Sequence, residues 1–128
     1  AWFLDQSGAI KGFSNAYFSG LTNLHLAKII DRYFISSEKI LHGLYHVTGP
    51  KISKFDLISK FKQHFDSPVE ISSDGQLVLD RALDGRKFVK TTGYQQSSWD
   101  EMILELIDFA KYYPSTAVTK PNSGGVDA

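Results

Sequence analysis

The sequence predicts a small α/β domain of the α+β kind, three main helices with a sheet of about three short strands. Three observations predict it. Apolar residues recur at helical spacing in three stretches, each preceded by a hydroxyl residue able to cap a helix. Short apolar runs bounded by glycine stand between those stretches and have the length of strands. No repeat of fixed period runs along the 128 residues, so one compact lobe accounts for the pattern.

In chain order, Ala9 to Phe13 reads as a strand opening after Gly8, followed by a polar and aromatic loop from Ser14 to Gly20. Thr22 caps the first helix, because its hydroxyl can accept a hydrogen bond from a backbone N–H in the first turn. Leu21 before that cap and Leu26 inside it offer a hydrophobic staple, and Leu26, Ala27, Ile30, Tyr33 and Phe34 recur with helical spacing. Gly43 to Val47 is the next strand. After Gly49-Pro50, Ser53 caps the second helix with Asp56 at its third position, and Ile52 with Leu57 forms a second staple. Leu57, Ile58, Phe61 and Phe65 make its buried stripe, with Lys54, Lys60, Lys62 and Gln63 facing water. Val69 to Ser72 is a third, shorter strand.

The segment from Leu79 to Met102 then feeds two helix starts. Asp84 is a plausible N-cap for a short helix through Lys87, Phe88 and Val89. Gly93 ends it, since glycine takes the left-handed conformation at little steric cost, and Tyr94 packs back on the preceding turn. Ser98 and Glu101 form a capping box for the last helix, Ser98 to about Tyr112. Its inner face carries Trp99, Met102, Ile103, Leu106 and Ala110. A sheet this small is expected to be covered on one side only, which predicts a partner surface and some self-association.

Residues 1–8 read as the end of a helix from a preceding domain, 9–113 as the lobe and 114–128 as a flexible tail. The tail carries Pro114, Pro121, Gly124 and Gly125 with no apolar periodicity, and such composition does not offset its own ordering entropy. Lysine plus arginine number 14 and aspartate plus glutamate 14, interleaved along the chain. That argues against a nucleic-acid partner, for which a basic stripe is expected. The absence of cysteine excludes a disulfide scaffold and a thiolate zinc site. No apolar run approaches a membrane span and no signal peptide is recognisable, so a cytoplasmic location is expected.

Three ordered segments carry a family resemblance. Gly12-Phe13-Ser14-Asn15-Ala16-Tyr17-Phe18-Ser19-Gly20-Leu21-Thr22 with Leu26-Ala27-Lys28 comes first. Gly43-Leu44-Tyr45-His46-Val47-Thr48-Gly49, followed by the Ser53 helix, is the second. Leu79-Asp80-Arg81-Ala82-Leu83-Asp84, Phe88, Gly93-Tyr94 and Ser98-Trp99-Asp100-Glu101-Met102 close the series. Together they resemble the C-terminal substrate-binding lobe of dTDP-4-dehydrorhamnose reductase-like sugar-nucleotide reductases, within the extended short-chain dehydrogenase/reductase superfamily. The resemblance implies a lobe that grips a nucleotide-linked sugar while packed on an N-terminal Rossmann domain that binds NAD(P)H. The Rossmann half is missing. No glycine-rich turn for a pyrophosphate is present, and none of Tyr17, Tyr33, Tyr45, Tyr94, Tyr112 or Tyr113 has a lysine four residues later. The chain itself is therefore expected to bind no cofactor and to hold no catalytic residue.

Since the resemblance places the sugar nucleotide between two lobes, substrate contacts are sought in loops at the domain boundary. Arg81 is the first candidate, because a guanidinium fork suits a diphosphate; a salt bridge with Asp80 or Asp84 is the alternative. Phe13, Asn15, Tyr17 and Ser19 are the second set, as a ring can stack on a base while amide and hydroxyl groups bond to sugar or phosphate. Burial in the core is the competing role for Phe13 and Tyr17. His42 and His46 lack the helical geometry to share a metal, with Gly43 and a strand pattern between them. Asp100 and Glu101 point apart and favour the positive start of a helix. Lys51, Lys54, Lys60 and Lys62 read as a solvated face, and Trp99 as a core anchor. Two function classes follow: the substrate lobe of a reductase, or a non-catalytic regulatory or interaction module derived from that fold.

Overall fold

A computed structural model describes residues 2–113; the tail expected over 114–128 lies outside the described residues. After a 3-10 turn at Trp2–Asp5, the chain runs β1 (Ala9–Phe13), β2 (Ala16–Phe18), α1 (Asn23–Ile30) and a π-helical turn (Asp31–Ile35). It continues through β3 (Ile52–Ser53), α2 (Lys54–His64), β4 (Glu70–Asp74), β5 (Leu79–Arg81), α3 (Arg86–Thr92) and α4 (Trp99–Tyr112). The strands form two small sheets. In one, β1 lies parallel to β4, Ala9 opposite Glu70 and Phe13 opposite Asp74. In the other, β2 is central, antiparallel to β3 and parallel to β5, with Tyr17 between Ser53 and Asp80 and Phe18 between Ile52 and Arg81. The α/β class holds: the three main helices and the short one expected through Lys87 to Val89 are present, and five strands stand among the described residues where about three were foreseen.

The caps stand where local chemistry places them. Thr22 Oγ accepts from His25 N at 3.2 Å, and Ser53 Oγ accepts from Asp56 N at 3.0 Å. At α4, Glu101 N donates to Ser98 Oγ at 3.2 Å while Ser98 N donates to Glu101 Oε2 at 2.7 Å, completing the reciprocal capping box. Gly93 closes α3 at φ +74°, its N–H donating to Val89 O at 2.8 Å; a side chain there would be strained in the left-handed region. Tyr94 folds back as expected, its ring 5.7 Å from that of Phe88.

Three packed clusters fill the interior. Phe3, Ile58 and Val69 join α2 to the β1–β4 pair. Ile52, Trp99 and Met102 join α4 to β3, with Phe18 edge-on to Trp99 at 5.9 Å. Trp99 is also anchored by its indole N–H, which donates to Pro50 O at 3.1 Å. The third cluster centres on Phe88, which is buried among Tyr33, Phe34, Tyr45 and Tyr94. Leu21 packs on the second and third clusters at once and so couples them.

Several expectations are corrected. The stretch from Ser14 to Gly20 is not all loop, since Ala16–Phe18 is the middle strand of a sheet whose partners lie far along the chain. Gly43 to Val47 forms no strand. The Leu44 carbonyl accepts instead from Lys87 Nζ at 2.8 Å, and Tyr45 and Val47 pack on the Phe88 cluster. The inner face of α1 is His25 and Ile29, while Leu26, Ile30 and Phe34 remain 38–46% exposed. That helix turns its polar His25 inward because α4 and Tyr94 offer it hydrogen bonds. Asp84 sits one residue before the cap of α3, which is Gly85, and accepts from Arg86 N at 3.0 Å. On α2, Phe65 is 37% exposed and stacks on Phe61, and Lys60 is tied to Asp100 on α4 rather than left to water. His64 Nε2 lies 2.9 Å from the same carboxylate, and the two partners, Lys60 foremost, hold Asp100 below the usual carboxylate range. No described helix is long and apolar enough to cross a membrane.

Candidate functional site

Two concavities of about 480 Å³ each open on the surface. The first lies where β2 and β5 end beside α3, lined by Ser19, Thr48, Gly49, Lys51, the 82–86 loop, Val89, Lys90 and Gln96. Its floor is locked by backbone bonds. Ser19 Oγ accepts from Leu83 N at 2.8 Å and Ser19 O accepts from Gly49 N at 3.1 Å, which joins the exits of β2 and β5 to the segment before β3. Gly85 is pressed against Thr48, and a Cβ at that position would collide with the Thr48 hydroxyl. Gln96 Nε2 donates to both Thr48 O and Thr48 Oγ, at 3.0 and 3.1 Å.

The rim is cationic. Lys51 Nζ bonds to Asp80 at 2.5 Å and lies 4.8 Å from the centroid of the Tyr17 ring. Arg86 grips Asp84 through Nε at 2.9 Å and Nη2 at 2.6 Å. That guanidinium pulls the Asp84 carboxyl down to about 2, and the Lys51 ammonium likewise lowers Asp80. Lys90 stands one turn after Arg86 on α3, on the same helix face. All of these rim groups are exposed, so their bonds are open to exchange with a ligand in water.

The residues singled out in the sequence are divided by this geometry. Ser19 is in the cavity wall, and Tyr17 borders it through Lys51. Asn15 and Phe13 lie away from it, near the β1–β4 pair: Asn15 Nδ2 donates to Gly75 O at 2.9 Å, and Phe13 is half-buried opposite Asp74. Arg81 is exposed at the end of β5. Alternation along that strand turns Asp80 and Ala82 to the cavity and Arg81 to the other face. Among the described residues no hydrogen bond or ion pair engages the Arg81 guanidinium, and the two aspartates weighed as its partners are taken by Lys51 and Arg86. Sequence reasoning missed Arg86, Lys90, Thr48 and Gln96, and it assigned Lys51 to a solvated face. One signal was legible: two cations opening α3 oppose the positive helix start.

The second concavity lies between α1, the 93–97 turn and α4, lined by His25, Lys28, Ile29, Arg32, Tyr33, Gly93, Tyr94, Gln95, Ser97 and Glu105. Buried His25 spans it, with Nδ1 3.0 Å from Glu105 Oε2 and Nε2 3.1 Å from the Tyr94 hydroxyl. The Glu105 carboxylate accepts, so Nδ1 is the ring nitrogen that donates to it. Lys28 reaches the other Glu105 oxygen at 3.1 Å. Burial works against ionisation of Glu105, but His25 and Lys28 together hold it below the usual range, while burial raises Tyr94 and keeps it a neutral phenol. Among the described residues no group of three histidine or carboxylate side chains is placed to hold a metal ion.

The fold is similar to that of solved dTDP-4-dehydrorhamnose reductases. One from Bacillus anthracis strain Ames, solved in complex with NADP, superposes with a TM-score of 0.64 at 17% identity over 81% of this chain and 40% of that one. One from Clostridium acetobutylicum superposes with a TM-score of 0.64 at 17% identity over 80% of this chain and 39% of that one. This chain thus spans about two fifths of the length of those reductases. No protein-family model and no curated protein matches it.

Proposed function

We propose that the chain is the nucleotide-sugar-binding lobe of an NAD(P)H-dependent reductase of the dTDP-4-dehydrorhamnose reductase kind, occupying residues 9–113. In the full-length protein, taken to be cytoplasmic, a separate dinucleotide-binding domain would supply the cofactor and the proton-transfer pair, so the chain alone transfers no hydride. The observation that carries this proposal is the first concavity. Its rim sets Lys51, Arg86 and Lys90 against the carboxylates of Asp84 and Asp80, above a floor of hydroxyl and amide groups.

A diphosphate linked to a sugar needs that combination. Phosphate oxygens would replace Asp84 and Asp80 on Arg86 and Lys51, exchanging one charge-assisted bond for another at small net cost. Sugar hydroxyls would find Ser19, Thr48 and Gln96, and the Tyr17 ring offers an apolar wall beside Lys51. Arg81, Phe13 and Asn15, which lie off this cavity, would act instead at the boundary with the dinucleotide-binding domain.

Calorimetric titration of the chain with dTDP-glucose and, separately, with NADPH tests the proposal. Weak saturable binding of dTDP-glucose and no heat from NADPH are expected, because half of the cleft is supplied by the other domain. Binding of NADPH, or no response to dTDP-glucose, would overturn it.

A further inference from the structure

We infer that the concavity between α1 and α4 is a second ligand site, which takes a phosphorylated monosaccharide with its phosphate on Arg32 and Lys28 and its hydroxyl groups on Glu105, Gln95 and Ser97. It is separate in position and lining from the cavity assigned to the nucleotide sugar, and it stands independently of that assignment.

The chemistry of the walls selects the ligand. Lys28 stands in the last turn of α1 and Arg32 four residues on, in the π-helical turn that follows. Both line the cavity. Lys28 is already turned to Glu105, but the Arg32 guanidinium has no carboxylate partner among the described residues and rests 5.4 Å from the centroid of the Tyr33 ring. A guanidinium fork and an ammonium side by side suit a phosphate, which accepts from both. The rest of the lining is of another kind. Glu105 lowers the charge there and accepts hydrogen bonds, and Gln95 and Ser97 both donate and accept. Those groups match hydroxyls rather than a second anion. The volume, about 480 Å³, is that of a small-molecule pocket.

The floor is also built to hold the walls still. His25 and Tyr94 are 7% and 5% exposed, and their hydrogen bonds run unbroken from the Tyr94 hydroxyl through the imidazole to Glu105 and on to Lys28. An interior chain of this kind costs desolvation that an apolar pair would not. It fixes the direction of the Glu105 carboxylate and, through it, the ammonium of Lys28, so half of the phosphate clamp is positioned before any ligand arrives.

NMR titration of the 15N-labelled chain with glucose 1-phosphate, inorganic phosphate and glucose tests the inference. Glucose 1-phosphate is expected to shift the amides of Arg32, Gly93, Gln95 and Ser97 saturably. Inorganic phosphate should shift the same amides with about tenfold or more weaker affinity, and glucose alone should shift none. Arg32→Gln should weaken glucose 1-phosphate by about tenfold or more without moving the thermal midpoint, since the side chain is exposed. Lys11→Ala, a surface charge on β1, should leave the affinity unchanged. Equal affinity for inorganic phosphate, shifts confined to the cavity beside α3, no shifts at all, or an Arg32→Gln affinity equal to that of the parent chain would each overturn the inference.

Discussion

The two concavities are alike in volume and opposite in construction. Beside α3, the polar floor is made of hydroxyl, amide and backbone groups, and the charges sit on an exposed rim in pairs that water can replace. Between α1 and α4, the charged and polar groups run into the interior through His25 and Tyr94, and the Phe88 cluster packs against the same turn. In the first, the charges proposed to hold phosphate and the groups that hold the fold are different atoms. In the second the buried His25 and Tyr94 serve both, so substitutions of these two are expected to disturb stability before they disturb binding, while the exposed Arg32 stays separable.

Five substitutions sharpen that contrast. Phe88→Ala should have the largest effect, about 3–5 kcal/mol in denaturant unfolding, because it empties the centre of four aromatic contacts. A loss much smaller than this would mean the third cluster is not a packed core. Gly85→Ala is the exception on the other side. Its methyl would meet the Thr48 hydroxyl, and about 1–3 kcal/mol should be lost as the floor shifts. His25→Ala should cost about 1–3 kcal/mol, as it removes the imidazole that bridges Glu105 and the Tyr94 hydroxyl and leaves Glu105 with Lys28 alone among the side chains that bond it here. An unchanged midpoint would show that water replaces the imidazole freely.

The fourth is a pH effect. Glu105 titrates below its ordinary value of 4.5 in the folded chain. The unfolded chain therefore takes up that proton first as acid is added. The stability that depends on the carboxylate is complete above pH 4.5 and is lost as the pH falls through the lower folded value. In acid unfolding curves, Glu105→Gln should flatten that part of the dependence and lower the stability in the neutral region, where the contribution of the carboxylate is complete. Arg86→Ala should be the mildest for folding, with no change in thermal midpoint. It should nevertheless weaken dTDP-glucose measurably, and that dissociation of stability from binding is what the exposed rim predicts.

What was legible in the sequence follows the same division between local and distant causes. Thr22, Ser53, Ser98 with Glu101, and Gly93 act within one helical turn, so their identity and spacing announce their roles. Strand β2 could not be read, because Ala16–Phe18 becomes a strand by pairing with Ile52 and Ser53 on one side and with Leu79 to Arg81, more than sixty residues on, on the other. His25 was passed over for Leu26 on α1, since apolar periodicity ignores a histidine that finds Glu105 eighty residues away. Arg81 drew notice beside two aspartates, yet strand alternation hands the cavity to Asp80 and Ala82, and Arg86 closes on Asp84. Ser19 and Tyr17 were singled out as groups in a loop at an expected domain boundary; Ser19 lies in the wall of the first concavity and Tyr17 beside Lys51, and the fold is similar to that of dTDP-4-dehydrorhamnose reductases, as the ordered segments suggest.

The most direct test of the central claim is amide chemical-shift mapping of the chain with dTDP-glucose, run in parallel on Arg86→Ala. The account predicts saturable shifts at Ser19, Lys51, Gly85 and Lys90 that diminish in the variant. Shifts confined to the amides of the α1–α4 concavity, or undiminished shifts in Arg86→Ala, would contradict it.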